Sequence, residues 1–205
     1  MTDVGAPEPD LVDAPALPNP WRTIWFSPRR TIRAIIDRED RPSFVGVIAL
    51  AAVHQVLASL QIEPDDGTFS ASRSAMPIAM GVIQLVFGIL VGPFLLAFVG
   101  GWLGGEGDPA DIRQGVAWSY VPHAIGGLFL IPVLIAYGGP PSMEGPATTV
   151  QWLAVPFALA SLALTVWSGV LHVITLAEVN RFSILRAIAC VVILLIPLML
   201  LALIS

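Results

Sequence analysis

Long stretches without a charge constrain this chain more than any other feature. Pro42–Ile62, Ser74–Gly105, Gln114–Met143, Gly145–Ala177 and Ala187–Ser205 contain no Asp, Glu, Lys or Arg, over 21, 32, 30, 33 and 19 residues. Crossing about 30 Å of hydrocarbon takes about 20 apolar residues at a rise of about 1.5 Å each. The longer stretches are too short for two crossings and a turn, so each predicts one span. The expected spans are 43–62, 77–103, 115–137, 151–177 and 184–204. Apolar character is continuous rather than alternating, which argues against a β-barrel. Charged residues make up 12% of the chain, roughly half the share of a typical soluble domain. The expected fold class is all-α: a polytopic membrane protein with a bundle of five transmembrane helices and an N-terminal amphipathic interfacial helix.

The basic residues set the orientation. There is no Lys. Arg22, Arg29, Arg30, Arg33, Arg38 and Arg41 precede the first span, Arg113 lies between spans two and three, and Arg181 and Arg186 lie between spans four and five. Only Arg73 falls on the other side. The positive-inside rule then predicts a cytoplasmic N-terminus and a C-terminus outside. A Lys-free, Ala-rich chain suggests a GC-rich bacterial genome, hence an inner-membrane protein with a periplasmic or extracellular C-terminus. The formal net charge of −5 argues against nucleic acid as a partner.

Three regions follow. Residues 1–18 hold Asp3, Glu8, Asp10 and Asp13 among several prolines. They lack the basic start and apolar run of a secretory signal and read as a disordered cytoplasmic tail. Residues 19–42 read as an amphipathic interfacial segment, and 43–205 as the membrane domain. Within 19–42, Asn19-Pro20 and Ser27-Pro28 each pair an N-cap with a proline at the first helical position. The second helix is predicted from about Pro28 to Arg38, with Ile32, Ile35 and Ile36 on one face and Arg29, Arg30 and Arg33 basic. Trp21, Trp25 and Phe26 are of the aromatic type that settles at headgroup level. The segment is expected to lie on the anionic cytoplasmic leaflet. The plainer reading is that its arginines only set topology; a cytoplasmic partner docking here is a third.

Inside the spans, Gly88/Gly92, Gly100/Gly104 and Gly101/Gly105 have GxxxG spacing. Packing within the bundle is the plain reading, and homo-oligomerisation through span two the sharper one. Pro93, Pro122, Pro132, Pro156 and Pro197 each free a backbone carbonyl that must find a partner inside protein or water. No acidic residue or Arg sits mid-span, but His54, His123 and His172 do, near Gln84 and Tyr120. A neutral intramembrane His either hydrogen-bonds between helices or marks a proton or ion path. No spacing enforces three converging metal ligands, and no cofactor is expected. Glu178 closes span four, where the helix dipole disfavours an anion. It is expected to pair with Arg181, Arg186 or an Arg of the N-terminal segment. No GxSxG, HExxH or P-loop is present, so the chain is read as non-enzymatic.

Three stretches carry a family resemblance: PWRTIWFSPRRTIRAIID, GGEGDPADIRQGVAWSYVPHAIGGL and WSGVLHVITLAEVNRFSILRAIACVVI. They contain an aromatic-rich segment with Ser-Pro-Arg, then a Gly-rich loop, a short helix and an early Tyr and Pro, then the turn after Glu178. In this order the chain resembles the bacterial branch of the Yip family, the Ypt/Rab-interacting membrane proteins. The resemblance implies a five-helix membrane domain with a cytoplasmic N-terminus. Ser27, Pro28, Tyr120, Pro122 and Glu178 are matched as motif positions. Eukaryotic relatives are linked to small GTPases and vesicle traffic; that role does not carry over to a bacterial chain. The expected function is a scaffold or adaptor in membrane organisation. A small transporter or channel, with His54, Gln84, Tyr120, His123 and His172 lining a polar path, is the alternative.

Overall fold

The computed structural model describes residues 19–38, 41–59, 71–129, 131 and 149–204. The predicted tail 1–18, Pro132, and the end of span three beyond residue 131 lie outside the described residues. All regular structure among the described residues is helical. The elements are α1 (Pro20–Thr23), α2 (Pro28–Arg38), α3 (Arg41–Ser59), α4 (Ala71–Leu90), α5 (Gly92–Trp102), α6 (Pro109–Ser119), α7 (Val121–Leu128), α8 (Thr149–Val179) and α9 (Ile184–Ile204). Windows in α4 and α8 are long and apolar enough to cross a bilayer, and α3, α5 and α9 carry shorter apolar stretches.

Two predicted spans are each two helices. The segment expected as one helix over 77–103 breaks at Val91, where Pro93 enters the first turn of α5. The segment expected to begin near 115 begins at Pro109, capped by Asp108 Oδ1 accepting from Ala110 N at 2.7 Å. It breaks at Tyr120, with Pro122 in the first turn of α7. Both breaks share one feature: a proline two residues on supplies no N–H to the preceding turn and crowds the carbonyl four residues back. At the second break the Ser119 carbonyl, next to the Trp118 carbonyl that Pro122 leaves without its donor, accepts the Ser168 hydroxyl of α8 at 2.6 Å, which ties the break to the neighbouring helix. Pro156 and Pro197 instead sit within continuous α8 and α9.

The short, broken α6 forms the hub. It contacts α2, α3, α5 and α8, and Ile112, Val116, Ala117, Trp118 and Ser119 are buried. One core gathers Ile24, Ile32, Ile35, Val47, Trp118 and Leu171. A second gathers Leu96, Val99, Ile112, Leu176, Ala187 and Cys190. Both lie at the Arg-rich end of the bundle. Away from them, Ile83, Phe87, Leu162, Val166 and Ile196 face outward, the pattern of helices solvated by lipid.

Candidate functional site

The N-terminal segment folds onto the bundle. Asn19 caps α1, its Oδ1 accepting from Trp21 N at 3.0 Å. Ser27 works through its backbone rather than as the expected side-chain cap: its carbonyl accepts both Thr31 N at 3.0 Å and Thr31 Oγ1 at 2.9 Å. Pro28 opens α2 at the expected position. The apolar face of α2 turns inward, not toward lipid. Ile32 and Ile35 are buried in the first core, and the Ile35 carbonyl accepts Gln114 Nε2 of α6 at 3.2 Å. Trp21 stacks edge-on against Trp118 at 5.0 Å, and Trp25 Nε1 donates to Trp21 O at 2.9 Å. These tryptophans are core partners. Phe26, 90% exposed, is the aromatic left outside, with exposed Arg22 and Arg30 nearby in sequence.

Glu178 joins this segment to α8. Its Oε2 accepts Arg33 Nε at 2.7 Å and its Oε1 lies 3.3 Å from Arg29 Nε. The carboxylate side chain is 6% exposed, while the two arginines are 60% and 72% exposed. Of the three expected partners, the structure pairs Glu178 with arginines of the N-terminal segment and not with Arg181 or Arg186. Arg181 points elsewhere, 3.9 Å from Glu106, because α8 ends in a Schellman turn. Phe182 N donates to Ala177 O at 3.1 Å and Arg181 N to Glu178 O at 3.4 Å, with Arg181 left-handed at φ 53°. Arg186 begins α9 nearby, its backbone N donating to Ser183 Oγ at 3.4 Å.

The same end holds a residue that sequence reasoning missed. Asn180, 1% exposed, donates from Nδ2 to Leu176 O at 3.0 Å and accepts Gly107 N on Oδ1 at 3.3 Å. Its carbonyl accepts Glu106 N at 3.3 Å. A Cβ added at Gly100, Gly105 or Gly107 would come within 2.6–2.7 Å of Asn180 Oδ1. Helix α5 also ends in a Schellman turn, with Gly104 at φ 80° and Gly105 N donating to Gly100 O at 2.8 Å. The glycines thus build a loop wrapped on Asn180. A Cβ at Gly88, Gly92 or Gly101 would meet nothing within 4 Å among the described residues. The signal was available: a buried-type Asn just past an apolar helix, opposite a run of glycines.

The three histidines separate into two contacts. His54 of α3 and His123 of α7 meet edge to face at 4.5 Å, and a Cβ at Gly127 would fall on the His54 ring. His123 Nδ1 lies 3.0 Å from Thr165 Oγ1, whose proton goes to Ser161 O at 2.9 Å; this assigns the ring proton to Nδ1. His172 Nδ1 lies 3.3 Å from Ser119 Oγ, which itself donates to Val116 O at 2.6 Å, giving the same assignment. The Tyr120 ring stands 6.5 Å from both His123 and His172. Gln84 is not in this cluster. It lines a cavity with Gln55, Arg113 and Tyr120 between α3, α4 and α6.

An all-helical bundle with apolar outer faces, polar joints inside and an amphipathic helix docked on its Arg-rich end is the build of an integral membrane protein. The Yip1 domain family model matches residues 21–205, and the chain belongs to that family. No curated protein and no solved structure matches it.

Proposed function

We propose that this Yip-family protein spans a bacterial inner membrane five times, with its Arg-rich end in the cytoplasm, and acts as a non-enzymatic adaptor through that end. The observation that carries the reading is an open groove of about 670 Å³ between α2 and the α8–α9 turn, lined by Arg29, Arg33, Asp37, Asp111, Glu178 and Arg181. Both signs of charge line it, so it suits a polypeptide partner better than a simple ion. Phe26, Arg22 and Arg30 stand on the outside of the same segment and are suited to anionic headgroups.

Transport is the weaker reading, because His123 and His172 each spend their Nδ1 proton on a neighbouring helix or turn. The two readings separate experimentally. A photoreactive residue in place of Asp37 should give a discrete protein cross-link in intact cells, while proteoliposomes of the purified chain pass no protons or ions. Proton flux abolished by His123→Ala, with no cross-link at Asp37, would replace the adaptor reading with transport.

A further inference from the structure

We infer that the cavity between α3, α4 and α6 binds one anionic phospholipid, with its phosphate on Arg113. The cavity, about 120 Å³, has apolar walls that include Val47, Leu85 and Ile89, with Gln55, Gln84, Arg113 and Tyr120 as its polar lining. Arg113 stands four residues into α6, roughly 6 Å from its start, at the Arg-rich end. Its Nε is buried with no hydrogen-bond partner. The guanidinium carbon lies 6.0 Å from the Phe94 ring centroid, and among the described residues the group has no ion pair.

A partly buried arginine that keeps no acceptor is costly unless an anion completes it. Guanidinium geometry favours a phosphate, which takes two parallel N–H bonds. The side chains of Gln55, Gln84 and Tyr120 also make no hydrogen bond to another described residue, which leaves donors for ester oxygens deeper in the cavity. Gly88 lines the cavity and is exposed, and a Cβ there would meet nothing within 4 Å, so a lipid chain can enter from the bilayer. Free phosphate would satisfy Arg113 but not the apolar walls; a phospholipid satisfies both.

The test is native mass spectrometry of the full chain, released from detergent with added phosphatidylglycerol, phosphatidylcholine or inorganic phosphate. The wild type should retain one phosphatidylglycerol in preference to phosphatidylcholine, and Arg113→Gln should weaken that binding about tenfold. Arg186→Gln, on an exposed arginine that does not line the cavity, should leave it unchanged. Gly88→Leu adds a side chain at the cavity wall, where a Cβ meets nothing within 4 Å, and should weaken binding too, which decides the matter if Arg113→Gln fails to fold. Equal retention of both lipids, wild-type binding by both cavity variants, or displacement of the lipid by inorganic phosphate would overturn the inference.

Discussion

Arg33 Nε lies 2.7 Å from Glu178 Oε2, joining a helix near the start of the chain to the end of α8 across 145 residues of sequence. Glu178 needs this contact. It sits in the last turn of α8, where the helix dipole repels an anion, and its side chain is largely removed from water.

That imbalance predicts an asymmetric mutational cycle. Glu178→Gln should destabilise the protein by about 1 kcal/mol, the loss of charge-assisted bonds to solvent-exposed arginines. Arg29→Gln with Arg33→Gln should cost more, about 2 kcal/mol, because it strands a buried carboxylate. The triple variant should be close to Glu178→Gln alone. Unfolding in mixed micelles measures all three, and raising the salt concentration should narrow the differences.

The two Schellman turns respond in opposite directions. Arg181 is a side-chain-bearing residue held left-handed at φ 53°, so Arg181→Gly should raise stability by about 0.5–1 kcal/mol. Gly105→Ala should lower it by about 1–3 kcal/mol, because the new Cβ would stand 2.6 Å from Asn180 Oδ1 and 2.9 Å from Phe182 Cε1. Thermal denaturation of the purified variants reads both.

At the His54–His123 contact, Gly127→Ala should be strongly destabilising, since its methyl group would occupy the His54 ring position. His54→Ala should restore much of the loss in the double variant, because it removes the ring that the methyl meets. Full additivity of the two substitutions in a melting experiment would contradict the packing described here.

How far the sequence reached depended on the range of the interaction. Helix α2 was legible to the residue, from Pro28 to Arg38, because a proline start and an isoleucine face are local signals. The last helix was legible for the same reason, bounded at its start by charges and turn residues. The direction of the isoleucine face was not legible: whether Ile32 meets lipid or Trp118 depends on a tertiary contact that periodicity cannot encode. The breaks at Val91 and Tyr120 were marked by Pro93 and Pro122, yet Pro156 sits in unbroken α8, so proline alone does not decide. Asn180 and its glycines were missed because GxxxG spacing reads the same whether the small residues face another helix or a buried amide. The ion pair was half legible: Glu178 needed an arginine, but the left-handed Arg181 turned the nearest one toward Glu106.

The most direct test of the whole account is the location of the chain ends, read by reporter fusions at the N-terminus and after Ser205. Five crossings with the Arg-rich end in the cytoplasm predict an N-terminal reporter active only inside the cell and a C-terminal reporter active only outside. Both reporters active on the same side would contradict the odd number of spans and the cytoplasmic placement of the Glu178 groove.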